Sequence, residues 1–568
     1  MKKVIFILSF IVFNSLLIDV NSQTYTNLKI PDTLSGTQFN LALKDTFAQL
    51  KSGNQTITGA INNHSFWGPT LFFNKGDTVR FNVVNNLNDS TTVHWHGMHL
   101  PAVMDGGPHQ IIPPGTTWSP YWKVANNAAT YWYHPHLHEM TLEHISKGLG
   151  GFIIVRDPNE AALALPRKYG VDDLPIVLTS RRYDNNNQFV TTNTSYGDYM
   201  LTNGTPNAQV SLPKQIIRLR ILNAVIERGY NLGFSDNRTF YIIANDGGLL
   251  NAPVAVTRVK LMVGERVEIL VDLRNDAING TLDLKAYNSG QAFGFPGGEP
   301  NTSGQFGSLL NNLDFSVLHI NVISATNNPI NTIPTSLINN TYWSAADATV
   351  NRNVNITGGQ PGTAFTFDNA AFNMNIINHT LNLNAIEKWT VTNNNVFGHA
   401  FHIHDVEFKI VARNGNAASV GTHESGWKDV MYVPKGESVS FVAKFDDYAD
   451  PIHPFMYHCH FANHEDDGMM GQFVVTNPIG LNELSKAQID FSLFPNPATD
   501  RLYIAFTDLQ NKAYYVRILN SIGKTIFMLP KPELENGIDI SGLKSGIYFI
   551  QLTDDKTKTT ISKKFIIE

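Results

Sequence analysis

The chain has 568 residues, enough for three or four domains at about 150 residues each. Its 42 Lys and Arg residues against 48 Asp and Glu residues give a net charge of −6. That balance argues against a nucleic-acid partner, because such proteins carry a strongly basic surface. Charged residues make up only 16% of the chain, below the roughly 25% of average soluble domains, and Asn, Thr and Gly are abundant instead. This composition indicates many short strands joined by turns.

Residues 1–22 are predicted to be a signal peptide. Lys2 and Lys3 precede an apolar stretch over residues 4–18, and small residues near Ser22 suit a cleavage site. A transmembrane anchor is the alternative, but Asn14 and Ser15 interrupt a run that is already short for a bilayer. We therefore expect an exported protein that is secreted or attached to the outer surface.

The elements that follow are almost all predicted strands. Residues 77–85, 267–273 and 389–392 have the β-branched and alternating character of strands, and no long stretch has helical periodicity. The sequence predicts an all-β protein with domains at residues 23–157, 158–325 and 326–478, a linker over 479–490 and a final unit over 491–568.

Most of the 19 histidines lie in the first and third predicted domains. They form four local patterns, namely His94-Trp-His96, His134-Pro-His136, His399-Ala-Phe-His402-Ile-His404, and His458-Cys459-His460 followed by His464 and Met469. Alternate residues of a strand share a face, so each His-x-His pair can direct two imidazoles to one site.

Cys459 is the only cysteine of the chain, so it cannot form an intramolecular disulfide. A buried inert thiol is one interpretation, but a free thiol in an exported protein oxidises readily unless it is protected, for example by a metal. On a strand, Cys459 points away from His458 and His460. A Cys thiolate, two imidazoles and a weak thioether form the blue-copper ligand set, which Cys459, His464, Met469 and His399 can supply.

Eight histidines of the four patterns remain, enough for three further copper ions. Half come from the first domain and half from the third, so the pattern predicts a cluster at their interface. Ordinary core or surface histidines and a zinc site are the alternatives. Zinc normally needs only about four ligands and does not explain a cysteine between two histidines.

These patterns resemble those of multicopper oxidases, most closely the three-domain bacterial laccases and cuprous oxidases. The resemblance extends to Asp105-Gly-Gly-Pro108, Arg220-Ile-Leu-Asn-Ala224, Trp427-Lys-Asp429 and His464-Glu-Asp-Asp-Gly-Met469. It implies three cupredoxin-like Greek-key β-barrel domains. It also implies a type 1 copper on His399, Cys459, His464 and Met469, a type 2 copper on His94 and His402, and a type 3 pair on His96, His134 and His460 and on His136, His404 and His458.

The resemblance further implies that carboxylates near the cluster supply protons during oxygen reduction, and Asp105 and Glu465 occupy the matching positions. The alternative for Asp105 is a structural role in the Asp-Gly-Gly-Pro turn, and for Glu465 an ordinary exposed acid. His99, His109, His138 and His144 exceed the number of ligands needed, and we interpret them as supporting or surface groups.

Asp429 and Met431 share one face of a predicted strand. In the resembling cuprous oxidases, an acid and a methionine near the type 1 histidines receive the metal ion, so this pair is a candidate donor-docking site. The alternative is that Asp429 only orients a ligand histidine and that Met431 belongs to the core.

The last unit resembles the C-terminal sorting domain of proteins exported by the type IX (Por) secretion system. Its motifs are Phe494-Pro-Asn-Pro497, Asn520-Ser-Ile-Gly523, Leu543-Lys-Ser-Gly-Ile-Tyr548 and a basic, apolar end. The resemblance predicts a small β-sandwich that is recognised by the secretion machinery. An accessory sandwich that binds sugar or a protein partner is the alternative.

The sequence thus predicts an oxidase that takes single electrons from a small-molecule or metal-ion donor and reduces dioxygen to water. The alternatives are a non-catalytic relative, as in exported proteins that serve cell division after losing copper ligands, and a protein that only sequesters copper. Between residues 326 and 398 the chain has one methionine, Met374, which argues against strong specialisation for cuprous ion. The donor stays open among phenols, aromatic amines and cuprous, ferrous or manganous ions.

Overall fold

The computed structural model describes residues 24–191, 196–304, 306–359, 363–477, 491–506, 514–530, 537–554 and 560–568. The predicted signal peptide and the predicted linker lie outside these residues. The described chain is almost entirely strand and loop, which confirms the all-β prediction.

The first unit consists of two sheets packed face to face around one hydrophobic core. One sheet contains Gln38–Ala48, Thr56–Ile61, His64–Ser65, Thr78–Asn86, Thr117–Trp118 and Tyr121–Lys123. The other contains Thr33–Ser35, Thr70–Asn74, His94–His96, Ala129–His134 and Gly151–Arg156. The predicted strand over residues 77–85 is observed as Thr78–Asn86, with alternating buried and exposed side chains.

The second unit pairs a seven-stranded and a six-stranded sheet. The seven strands are Asp173–Arg181, Tyr199–Thr202, Thr205–Pro206, Ile216–Asn223, Phe240–Asn245, Gly248–Val256 and Arg266–Asp272. The six are Thr26–Asn27, Ala208–Pro213, Tyr230–Phe234, Val259–Leu261, Thr281–Tyr287 and Asp314–Ile323.

The N-terminal strand Thr26–Asn27 pairs with a strand of the second unit. It lies within the range predicted for the first domain, residues 23–157, yet it pairs in parallel with Ala208–Pro213 of the second unit. Leu28 and Ile30, which follow it, pack against the hydrophobic core of the second and third units, and this burial holds the strand there. The predicted domain boundaries stay predictions.

The third unit also has two sheets, and it holds most of the predicted ligands. One contains Val350–Gly358, Phe365–Phe367, Ala385–Asn393, Phe408–Arg413 and Ser438–Phe445. The other contains His379–Asn382, His399–Ile403, Val430–Val433, Asp450–Cys459 and Met470–Thr476. One continuous set of buried apolar side chains runs through the second and third units, so these two units are firmly packed together.

The final unit has its own hydrophobic core between a three-stranded and a four-stranded sheet. Its strands are Phe491–Phe494, Arg501–Phe506, Tyr514–Asn520, Thr525–Pro530, Ile538–Asp539, Gly546–Asp554 and Thr560–Ile567.

Helices are short and lie at the ends of strands. The α-helices are Thr141–Ser146, Pro158–Ala161 and Ala462–Asp466, and the 3₁₀ turns are Ala102–Met104, Ala417–Ser419 and Thr422–Glu424. Within the part of the chain that the structure describes, no helix combines the length and the apolar character needed to cross a bilayer.

Candidate metal centres

Cys459 lies at the end of the long strand Asp450–Cys459, and the alternation of that strand divides its side chains between two sites. Phe455, Tyr457 and Cys459 belong to the core of the third unit. His458 points the other way, toward His136 of the first unit, as the strand period predicts.

The cysteine site consists of Cys459, His399, His464 and Met469. The Nδ1 atoms of His399 and His464 each lie 3.6 Å from the Cys459 Sγ atom. The Met469 backbone N–H donates to His464 at 2.8 Å and its carbonyl accepts from Cys459 at 3.1 Å, which fixes the loop that carries the thioether. All four side chains are buried, and the ring of Phe365 covers both imidazoles at centroid distances of 4.9 and 4.3 Å.

The histidine cluster consists of the eight remaining predicted ligands, which the structure brings together between the first and third units. All eight are buried: His94, His96, His134, His136, His402, His404, His458 and His460. Strand pairing sets their positions, since His94 lies opposite His134 and His402 lies opposite His458. The inner nitrogens meet closely, with His458 Nε2 at 3.1 Å from that of His136 and at 3.2 Å from that of His404.

Hydrogen bonds on the outer nitrogens hold these rings in place. The Nδ1 atoms of His94, His134, His402 and His458 donate to backbone carbonyls at 2.8–3.0 Å. Those of His404 and His136 face the carboxylates of Asp105 at 2.8 Å and Glu465 at 3.0 Å. Outer partners of this kind fix the tautomer of a metal-binding histidine and leave the inner nitrogen as an acceptor.

The arrangement fits a metal better than it fits a set of structural histidines. The Nε2 atoms of His94, His134 and His402 are buried and have no hydrogen-bond partner among the described residues. Unpaired buried polar atoms are costly, whereas bound metal ions would give each of these nitrogens a partner. A thiol with two imidazoles and a thioether beside an all-imidazole cluster is a donor set for copper.

Four imidazoles of the histidine cluster favour the neutral form, which is the form that binds metal, whereas the pKa values of His136 and His464 are raised. Burial, and then the neighbouring imidazoles, hold the pKa of His96, His402, His404 and His460 well below their usual range. At the cysteine site, Glu227 lies 3.5 Å from the Nε2 atom of His464. Burial would lower the pKa of His464, but Glu227 and Cys459 outweigh it and raise that pKa to about 10.

The two predicted proton-supplying acids are both buried beside the histidine cluster. Asp105 accepts the bond from His404 Nδ1, and Glu465 lies against His136 and accepts a bond from the hydroxyl of Thr141 at 2.6 Å. Burial would raise the pKa of Glu465, but His136 and His458 outweigh it and lower that pKa to about 2. The carboxylate is therefore ionised, and because it is fully buried the alternative of an exposed acid at Glu465 is wrong.

Asp429 and Met431 do not form an accessible docking pair. Both side chains are fully buried, and Asp429 forms a two-bond ion pair with Arg266 at 2.6 Å. Asp429 Oδ1 also lies 3.1 Å from the Nε2 atom of His96. The geometry therefore favours the alternative in which Asp429 orients a histidine and Met431 belongs to the core.

Among the surplus histidines, His99 has a role that the sequence did not indicate. Its two ring nitrogens bind Glu407 and Asp447, so a histidine of the first unit joins two acids of the third. Burial would lower the pKa of His99, but Glu407 and then Asp447 raise it well above its usual range. His109 bonds to Gln472 at 2.8 Å, His138 packs on Phe372, and His144 is buried beside Thr91.

Comparison with protein-family models identifies three segments of the chain. Two models described as multicopper oxidase match residues 44–160 and 346–478. A model described as a secretion system C-terminal sorting domain matches residues 492–568. The first two matches contain all twelve predicted ligands, and the third covers nearly all of the final unit.

Related proteins cover most of the chain. The multicopper oxidase mco of Staphylococcus haemolyticus is 31% identical over 423 residues, which are 73% of this chain and 83% of that protein. The cell division protein FtsP of Xenorhabdus nematophila is 30% identical over 476 residues, 82% of this chain and 95% of that protein. A solved structure of the bacterial laccase-like multicopper oxidase CueO from Ochrobactrum sp. is 29% identical, with a TM-score of 0.71 over 79% of this chain and 100% of that one.

The fold and these likenesses define a copper-dependent oxidoreductase built from cupredoxin-like units. The chain belongs to the multicopper oxidase family. Its final unit is a sorting domain, which indicates export and attachment at the outer surface.

Proposed function

We propose that this chain oxidises a one-electron donor at the cysteine site and reduces dioxygen by four electrons to two waters at the histidine cluster. The observation that supports the proposal most directly is the strand Asp450–Cys459, with the segment that follows it. Cys459 contacts His399 and His464 on one side, while His458 and His460 contact the histidine cluster on the other. A few covalent bonds therefore join the two centres.

The proposed ligand roles are those that the resemblance to multicopper oxidases implies. His399, Cys459, His464 and Met469 would hold the type 1 copper, and His94 and His402 the type 2 copper. His136, His404 and His458 would hold one type 3 copper, in agreement with their inner nitrogens lying at 3.1 and 3.2 Å. His96, His134 and His460 would hold the other. When bound, the copper ions supply the one-electron chemistry that links the donor to dioxygen.

The protein side chains supply the protons that water formation requires. Asp105 and Glu465 each contact an outer imidazole nitrogen of the cluster. The hydroxyl of Thr141, the first residue of the helix Thr141–Ser146, donates a hydrogen bond to Glu465. We propose that these acids pass protons toward the histidine cluster. General acid catalysis of this kind contributes about 10²- to 10⁴-fold to a rate.

The surface beside the cysteine site favours an aromatic donor over a metal ion. Phe397, two residues before His399, packs against Phe306 at 4.9 Å and Phe293 at 5.9 Å, and Phe293 and Val396 are 57% and 51% exposed. Exposed aromatic groups attract planar apolar molecules. The similar Ochrobactrum enzyme has oxidase activity towards lignin model compounds, which fits the same class of donor.

The alternative is a non-catalytic protein that binds or sequesters copper. The similarity to the cell division protein FtsP is consistent with this alternative. Every predicted ligand position holds a suitable side chain, which favours an enzyme. Copper storage does not require a thiolate site joined to an imidazole cluster.

Steady-state oxygen uptake separates the two functions. The copper-loaded protein is mixed in turn with a phenol, an aromatic amine and cuprous, ferrous and manganous ions, and the copper-free protein is the control. We expect continuous uptake with four donor electrons per dioxygen and no accumulated peroxide. Tight copper binding without turnover of any donor would contradict the proposed oxidase.

The sorting domain would deliver the enzyme through type IX secretion. Its separate core, distinct from the cores of the other units, supports a role as an address that takes no part in catalysis.

A further inference from the structure

The second unit holds none of the predicted copper ligands, yet one of its turns presses directly against the histidine cluster. Gly264 lies in this turn with φ of +86°, and a Cβ atom there would come within 2.7 Å of the His460 ring. Both the left-handed backbone and the close approach require glycine. The turn therefore forms part of the wall of the cluster.

Arg266 begins the strand that leaves this turn, and its side chain joins all three units. The guanidinium is fully buried, and it has five N–H bonds to satisfy. Three donate to the carbonyls of Thr130, Gly264 and Asp246, each at 3.0 Å, and two donate to the Asp429 carboxylate, each at 2.6 Å. Every donor of the group is used, so its position is fully determined.

Asp429, which Arg266 holds in place, contacts two histidines of the cluster. Its Oδ1 atom accepts a bond from His96 Nε2 at 3.1 Å, and its backbone carbonyl accepts one from His402 Nδ1 at 2.8 Å. The bond to Nε2 turns the Nδ1 atom of His96 toward the cluster, where it lies 3.1 Å from His460 Nε2. His96 thus faces the cluster with the opposite nitrogen from the other seven histidines, and only a partner on its Nε2 side can hold it so.

Removal of the guanidinium would leave the Asp429 carboxylate buried without its countercharge. A buried charge in that state is unfavourable, and the carboxylate would also lose the two hydrogen bonds that fix its position against His96. The His96 ring would then lose the bond that selects its ligating nitrogen. The cysteine site would be unaffected, since its four residues all belong to the third unit.

We propose that Arg266 is a positioning residue of the trinuclear copper site, which it serves by holding Asp429 against His96. This inference rests on the proposed function, because it needs copper at the histidine cluster. The ligand-free second unit then has a specific task in the metal chemistry.

The test compares copper binding at the two centres in Arg266→Leu. Copper is counted after competition with a graded series of chelators, and the two centres are read separately. Blue absorption reports the cysteine site, while near-ultraviolet absorption and electron paramagnetic resonance report the cluster. We expect copper affinity at the cluster to fall about 10- to 100-fold, as for other outer partners of metal ligands, with the blue site unchanged. Arg266→Lys keeps the positive charge but lacks the planar group that donates two parallel hydrogen bonds to Asp429. It should restore the copper affinity of the cluster in part.

Arg218→Leu is the matched control, since Arg218 is also a fully buried arginine of the second unit but pairs with Glu160 and Glu268. It should bind copper as the wild type does. If Arg266→Leu does not fold, Arg266→Lys and Asp429→Asn serve as the test instead. Each should lower the copper affinity of the cluster and leave that of the cysteine site unchanged. Unchanged cluster affinity, or equal losses at both centres in the Arg266 variants, would overturn the proposal. A wild-type protein with no copper at the cluster would instead overturn the proposed function and this inference with it.

Discussion

The cysteine site and the histidine cluster are served by one strand, yet the cysteine site lies inside a single unit and the cluster lies across an interface. Every candidate ligand of the cysteine site comes from the third unit, within a continuous apolar core. The cluster takes four imidazoles from the first unit and four from the third, with Arg266 of the second behind them. The first site takes its four side chains from one unit, with Glu227 of the second unit against His464, whereas the second site forms only when the units dock. Substitutions should therefore affect the two centres independently.

Cys459→Ser should produce the largest difference between the two centres, because it removes the thiolate of one of them. We expect complete loss of the blue absorption and of donor oxidation, while the cluster still takes up copper. Absorption spectra and copper counts on the same sample measure both effects. A variant that stays blue would show that Cys459 is not the ligand.

Asp105→Asn and Glu465→Gln should impair the cluster and spare the cysteine site. Each change keeps the size of the side chain and removes a carboxylate that contacts His404 or His136. Under stopped flow, the blue copper should still be reduced by donor, but its reoxidation by oxygen should slow by about 10²-fold. Unchanged reoxidation in both variants would exclude these acids from proton supply.

His99→Gln should weaken the docking of the first unit on the third in a pH-dependent way. His99 is held by Glu407 and Asp447, with Asp405 close by, and its pKa is raised well above the usual range. A raised pKa contributes stability that is complete below the unfolded value of about 6.5 and is lost as pH rises through the folded value.

The wild type should therefore exceed the variant by about 2 kcal/mol in the free energy of unfolding under mildly acidic conditions, and by less at alkaline pH. Denaturant titrations of the copper-loaded protein across pH measure this difference. His109→Gln is the control, because His109 bonds to the neutral Gln472. A difference between wild type and His99→Gln that does not vary with pH would argue against the ion pairs.

A chain ending at Pro478 should show the smallest effect on the two centres, since it lacks only the sorting domain and the segment before it. Produced in a heterologous periplasm, it should load copper and turn over donor at the wild-type rate. In the native host it should fail to cross the outer membrane. Loss of turnover in the purified protein would make the final unit part of the enzyme.

Local pattern was enough to predict strands and to single out the candidate ligands. The alternation around Cys459 divides its neighbours between two sites in the structure, and the strand predicted over 389–392 lies within Ala385–Asn393. The long-range partners had no such signal. Arg266 and Asp429 are 163 residues apart, and His99 lies 308 and 348 residues from its two acids. Pairing at such separation depends on how the units dock, and a short stretch of sequence does not contain that information.

The strand Thr26–Asn27 has a consequence for the order in which the protein matures. Asn27 pairs with Gln209, 182 residues further along the chain. A chain that is threaded outward from its N-terminus therefore exposes this strand long before its partner arrives, and the first unit must fold while its leading segment is still unattached. Pairings of such large sequence separation form slowly. Closure of this parallel pair is thus expected to be a late event, after which the first unit is tethered at both ends to the second.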